Sequence, residues 1–365
     1  MFRPYRRLLA AWLWLLAALA AAPLAAIAAP GAPASPPERN PPQSAPAGAL
    51  RVTLLLEHDG AQPWTDLLRA GLARAERELA VLAAVRVLPP GSDQQGAFRQ
   101  AARESDLVLA ASDRLHEVLR NNAANFRRTM FGCIDAGVRA PNIMSVTFAD
   151  EQAAYLAGAA AAMLTSRTSL PGVNAARVIG WLSGEDTPAL RSQFHGFSEG
   201  ARLVDPQIRV INAVAGSFTD AEAARREARR LLEQGADVLA LAAGAGNPGA
   251  LAEARERGIY IIGLDTDQAA IMPGRVLTSI LKRADKAVYE IVASAARGNF
   301  QGKTILTYDL RNGGVDIASL APFLSAAGKN APPDLERRLR ELRAELLNGS
   351  IRLKSLRART LCDCL

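Results

Sequence analysis

Along most of this chain, short apolar runs rich in Val, Ile and Leu alternate with longer segments whose apolar residues recur at helical spacing. Leu50–Glu57 (LRVTLLLE), Val81–Leu88, Asp106–Ala110, Thr129–Ile134 and Asn142–Phe148 show little polar alternation. Such runs predict strands of a parallel sheet covered by helices on both faces. Between them, Trp64–Leu79 sets Leu67, Leu68, Gly71, Leu72 and Ala75 on one side of a helix, and another helix begins at Gly96–Ala102. Glu151–Ser166, containing YLAGAAAAML, predicts a helix of small residues suited to close packing. The series then repeats, with strands at Arg177–Leu182, Arg209–Ala215, Val238–Ala242 and Ile259–Leu264. Its helices are Pro188–Leu203, Thr219–Gln234 with Thr219 in the N-cap position, and Ala250–Arg257. A strand from Val276 (VLTSIL), a helix Asp285–Ala296, a strand Thr304–Leu310 and a charged helix Leu335–Leu347 complete the pattern.

Two βαβ series of similar size predict an α/β protein with two Rossmann-like lobes and a binding cleft between them. The expected division is 48–150 for the first lobe and 151–269 for the second. Residues 270–310 are expected to return to the first lobe and 311–350 to pack on the second, leaving 351–365 as a tail. Ahead of the lobes, Arg3, Arg6 and Arg7 precede LLAAWLWLLAALAAAPLAAIAA, a basic region followed by an apolar one that ends in small residues. That is the pattern of a secretory signal peptide over 1–29, cut near Ala28 or Ala29, with no Cys there to carry a lipid. Pro23 and the Ala-rich end favour cleavage over an uncleaved anchor. Residues 30–47, rich in Pro, Ala and Ser, read as a disordered linker. Export without a lipid points to the periplasm of a Gram-negative bacterium.

Charge and cysteine content narrow the class further. Three units of the formal charge of +7 belong to Arg3, Arg6 and Arg7, and the other basic residues are interspersed with acids. Arg225–Arg230 (RREARR) reads as a solvated helix face, so no nucleic-acid partner is expected. Cys133 sits in an apolar strand as a small hydrophobe, and Cys362-x-Cys364 belongs to the tail. His58, His116 and His195 lack metal-ligand spacing, so neither a metal nor another cofactor is expected.

Candidate chemistry collects where apolar runs end: Asp135, Gly216-Ser217-Phe218, Gly244–Gly249, Asp265, and Lys282 after a later strand. Ligands gather at the carboxyl ends of parallel strands. In IYIIGLDTDQ the strand delivers Asp265 and Asp267, and a carboxylate there suits either two neighbouring sugar hydroxyls or a metal ion. Asp267 by itself reads as a loop or capping residue, and Lys282 as a solvated lysine. AAGAGNPG lacks the Lys-Ser/Thr of a P-loop and signals only a turn that allows close backbone approach. Phe218 suits either stacking on a planar ligand or a hydrophobic staple for the helix after it. Nucleoside hydrolases carry Asp-x-Asp followed by further aspartates that hold calcium. Here Gln268, Ala269, Ala270 and Ile271 follow instead, so the ligand count fails.

From Val178 to Asp285 the chain resembles the basic membrane protein family of solute-binding proteins, the class that includes bacterial purine nucleoside receptors of ABC transporters. The segments that carry the resemblance are VIGWLSGEDTPALRSQFHGFSEGAR, VAGSFTD, QGADVLALAAGAGNPG, RGIYIIGLDTDQ and VLTSILKRADKAVYE, with FGCIDA and NIMSVTFADEQAAYLAGAAAA in the first lobe. It implies a type I periplasmic binding protein-like fold and a non-enzymatic protein that hands its ligand to an ABC permease, with a monomer as the default state. In that reading Phe218 stacks on the base, Asp265 binds the ribose hydroxyls, Lys282 lies beside the sugar and Asp135 bonds the base edge. Backbone from Gly244 or Gly246 closes the site. The first-lobe loop EHDGAQPWTD departs from the family's Ser-Phe-Asn, putting Trp64 at the aromatic position and Thr65 at the amide position. Another base or planar ligand therefore stays open, with Glu57, His58 and Asp59 as further polar candidates. A sensory protein that passes its closed state to a membrane receptor is the alternative.

Overall fold

The computed structural model describes residues 48–59 and 62–354. The signal peptide and linker expected over 1–47 lie outside the described residues, as do Cys362 and Cys364. The first series forms β1 (Leu50–Leu56), α1 (Pro63–Glu78), β2 (Val81–Val87), α2 (Gln94–Glu104), β3 (Leu107–Ala110), α3 (Asp113–Asn122), β4 (Met130–Ile134) and β5 (Ile143–Phe148). After α4 (Asp150–Thr165) come β6 (Val178–Ser183), α5 (Pro188–Val204), β7 (Arg209–Val214), α6 (Ala221–Glu233), β8 (Ala236–Ala242), α7 (Asn247–Arg257), β9 (Tyr260–Asp265) and β10 (Val276–Lys282). Then follow α8 (Ala284–Ala296), β11 (Ile305–Tyr308), β12 (Val315–Ile317), α9 (Ala321–Ala327) and α10 (Leu335–Asn348).

The strands form two six-stranded sheets, ordered β11-β5-β4-β3-β1-β2 and β12-β10-β9-β8-β6-β7. Pairing is parallel throughout, except that β12 runs antiparallel to β10. Strand periodicity divides each apolar run between two faces. Val52, Leu54 and Leu56 meet Leu68 and Leu72 of α1 and Ile291 of α8, while Leu55 turns toward Phe98 of α2 and Leu115 of α3. In the second sheet, Ile179 and Trp181 face Phe197 of α5, and Val178 and Leu182 face Ala224 and Leu231 of α6.

Several elements differ from the pattern reading. Asp113–Asn122, where no element is expected, is a helix because Ser112 Oγ caps the Leu115 N–H at 3.3 Å and Leu115, Val118 and Leu119 are buried at helical spacing. The N-cap of α6 is Asp220, whose carboxylate accepts from Ala223 N at 2.9 Å. Thr219 instead donates its N–H to Ser217 Oγ at 3.0 Å and belongs to the turn before the helix. Arg225 and Arg229 of the expected solvated face donate to the buried carboxylate of Glu253 on α7.

The chain passes between the sheets three times, at 148–150, 282–284 and 309–314. After β5, α4 packs along α5 and against β10 and β12, while after β10, α8 returns to α1 and β4. The apolar run Val276–Lys282 pairs with β9, so the return to the first sheet begins at α8 rather than near residue 270. The crossings are bonded to one another: Ala149 N donates to Tyr308 O at 2.8 Å and Arg283 N to Gly314 O at 2.9 Å. Leu310 N donates to the side chain of Gln152 at 3.0 Å.

The α4–α5 contact uses the small residues seen in the sequence. A Cβ at Gly158 would collide with the Phe197 carbonyl, and one at Gly196 with the backbone of Glu151. Gly158→Ala is therefore expected to cost about 1–3 kcal/mol in denaturant unfolding, the usual size of overpacking in a filled core. An unchanged denaturation midpoint would mean that the two helices are not in this contact.

Candidate functional site

Where the strands of both sheets end, the lobes enclose a cavity of about 390 Å³, within the range of small-molecule sites. Asp135 follows β4 and Asp265 ends β9, strands that hold the same place in the two sheets. Both aspartates have left-handed backbones, with φ of 76° and 69°. Among residues with a side chain, Asp and Asn tolerate that conformation best, and each chain reversal turns a carboxylate toward the cleft.

Lys282, at the end of β10, is buried (4 % exposed) rather than solvated. Its ammonium donates to Asp135 at 2.8 Å and to Asp150, the first residue of α4, at 3.1 Å. It also lies 4.9 Å from the ring centre of Trp64 and 4.8 Å from that of Phe148, where an aromatic face favours a cation. β10, β4 and α4 thus converge on one charge.

Asp265 accepts no hydrogen bond from the described residues. Burial is the main cause that pushes its carboxyl up to about 6; the nearby charge of Lys282 opposes this, and Asp150 and Asp135 add to it. The result is an acceptor on the cavity wall without a donor among the described residues.

The remaining sequence candidates fall into three groups. Trp64 and Phe218 line the cavity from opposite lobes, Trp64 held by its indole N–H on Ala111 O at 3.2 Å. Thr65 also lines it, but its hydroxyl donates to Gln62 O at 3.1 Å, part of the start of α1. Gly244 lines it with a left-handed φ of 59°, which disfavours a side chain there, and a Cβ would also lie 2.6 Å from Gln62 Oε1 of the other lobe. Gly246 lies behind the wall. Its N–H donates to Phe218 O at 3.0 Å and holds the aromatic loop rather than facing the cavity. Glu57 and His58 line the cavity, whereas Asp59 pairs with Arg69.

Sequence reasoning missed Arg114, Glu185 and Gln193. Arg114, on α3, donates to Glu57 at 3.4 Å within its own lobe and to Glu185 of the other at 2.9 Å. No local motif marks such a bridge, because its partners lie 57 and 71 residues away. Gln193 is an ordinary polar position in the helix pattern until α5 is packed.

The model of the ABC transporter substrate-binding protein PnrA-like family (Bmp) matches residues 62–338. The chain belongs to this Bmp family. Among Bmp relatives, it is 29 % identical over 267 residues to the ABC transporter nucleoside-binding protein BmpA of Lactococcus lactis, covering 68 % of this chain and 71 % of that one. It is 32 % identical over 213 residues to basic membrane protein A of Borreliella burgdorferi, 58 % of each chain. A solute-binding protein of an ABC transporter system from Aeropyrum pernix superposes with a TM-score of 0.76 at 24 % identity, covering 84 % of this chain and 93 % of that one. The same fold recurs at a TM-score of 0.59 and 22 % identity in a solute-binding protein from Conexibacter woesei, over 84 % of this chain and 99 % of that one. The Bmp chain described here therefore has the two-lobed type I periplasmic binding protein-like fold, in a family of substrate-binding proteins rather than enzymes.

The raised Asp265 group has a definite sign in stability. The folded state holds the proton up to about pH 6, whereas an unfolded Asp releases it near 4. That stabilisation is complete below pH 4 and is lost as pH rises through 6. Asp265→Asn keeps the left-handed preference and removes the charge. In ligand-free protein its melting temperature is expected to match the parent's near pH 4, to exceed it increasingly as pH rises from 4 to about 6, and to keep that excess at higher pH. A constant difference across that range would contradict the assignment.

The half-exposed Arg114 bridge calls for a smaller effect. Arg114→Ala is expected to weaken ligand capture by up to about fivefold, the scale of an exposed ion pair. The change should lie mainly in the dissociation rate, and high salt should erase the difference from the parent. A loss that persists in high salt would assign Arg114 some other role.

Proposed function

We propose that this protein captures a nucleoside-like ligand between its lobes in the periplasm and delivers it, chemically unchanged, to an ABC permease of the inner membrane. The observation that carries the reading is the Asp265 carboxylate, set on the cavity wall with no hydrogen-bond donor among the described residues. An ionised acceptor in such a place suits a vicinal diol, because both hydroxyls can donate to one carboxylate and the charge strengthens each bond. Trp64 and Phe218 supply aromatic faces for a planar base. Lys282, held by Asp135 and Asp150, supplies a fixed positive charge beside them. The name of the Lactococcus lactis relative, a nucleoside-binding protein, points the same way.

Isothermal titration of folded, ligand-free protein against a panel of nucleosides and free bases tests the ligand class. At least one nucleoside is expected to bind, and Asp265→Ala is expected to weaken it by about tenfold or more, the loss typical of a charged hydrogen-bond acceptor. If no member of the panel binds, the ligand class is wrong. If a nucleoside binds the variant as tightly as the parent, Asp265 is not its sugar partner.

A further inference from the structure

We infer that Gln193 is a specificity-determining residue of the cleft, its side-chain amide bonding an edge of the base that carries a hydrogen-bond donor beside an acceptor. The inference rests on the nucleoside reading above and adds the chemistry of the edge that is recognised. Gln193 stands on α5, on the same face as Leu190, and both line the cavity. It is 3 % exposed, and among the described residues neither its Oε1 nor its amide nitrogen has a hydrogen-bond partner.

A buried amide is normally paired on both halves, since it offers one acceptor and two donors and leaving them unmet is costly. Here the pairing is missing at the wall of a ligand cavity. Several other polar groups on that wall are engaged within the protein. Thr65 donates to Gln62 O, Lys282 binds its two aspartates, and Asn247 bonds Ala243 N and Leu241 O. With Asp265 facing the sugar, Gln193 offers a buried amide to the base. A half-turn about its last bond exchanges the amide oxygen and nitrogen, so it can match a donor and acceptor in either order. The second lobe thereby supplies the amide that Thr65 lacks in the first.

The test compares inosine with purine riboside, which lacks the 6-oxo group and the adjacent N–H, in titrations of the parent and of Gln193→Met. The parent is expected to prefer inosine by about tenfold or more, because a site built to bond a polar edge rejects the analogue without it. In Gln193→Met that ratio should fall close to one. The ligand-free variant should also melt no lower than the parent, since it loses an amide that nothing in the protein satisfies. Gln193→Glu, an acceptor only, gives an independent reading by shifting preference toward guanosine, which presents two donors side by side. If nucleosides bind but both variants keep the parent's ratios, or if Gln193→Met melts lower, this inference fails and the nucleoside reading stands. If no nucleoside binds the parent, both fall together.

Discussion

One buried ammonium group organises the cleft. Lys282 is out of water, and a charge in that position survives only where opposite charges and hydrogen-bond acceptors surround it. Asp135 and Asp150 meet that requirement, one from the first sheet and one from the helix that leaves it for the second lobe. Two of the three crossings therefore end on the same ion cluster: residues 148–150 supply Asp150 and residues 282–284 begin at Lys282. The floor of the cavity and the junction of the lobes are the same few residues. Anything that alters the charge of the site also acts on the joint about which the lobes are held.

Around this cluster the polar groups divide into two kinds. Those bonded within the protein hold its shape: Asn247 at the start of α7 and Gly246 behind Phe218. Asp265 and the Gln193 amide instead meet no partner among the described residues, at a cost to the empty fold. Both stand on the wall of the cavity, which is where an unmet group gains a partner when a ligand enters. The Arg114–Glu185 bridge is of another sort again, exposed and weak, and it joins the lobes at the cavity's edge. Strong interactions thus lie at the crossings between the sheets, and a weak one at the cavity's edge.

The sheets were legible in the chain because each buried parallel strand reads as an apolar run, and α4 because its small residues mark a helix suited to close packing. Asp135, Phe218, Gly244 and Asp265 stood out because functional groups collect where such runs stop. Boundaries fixed by a single side chain were less legible. Ser112 starts a helix that the pattern omits, and Asp220 rather than Thr219 caps α6. Lys282 misled by its chemistry alone, since an isolated lysine in a sequence carries no sign of the two carboxylates that allow its burial.

The sequence by itself therefore determined the α/β class, the two repeated series, the family and the strand ends that bear chemistry, all of which depend on neighbours within one element. Tertiary structure decided which carboxylate is bonded and which is free. It paired Lys282 with Asp135 and Asp150, left Asp265 and Gln193 unmet among the described residues, set Gly246 behind the wall, and bridged the lobes through Arg114. Those outcomes depend on distances between residues tens to more than a hundred positions apart. Electrostatic and hydrogen-bond energies follow those distances in space, and only folding creates them.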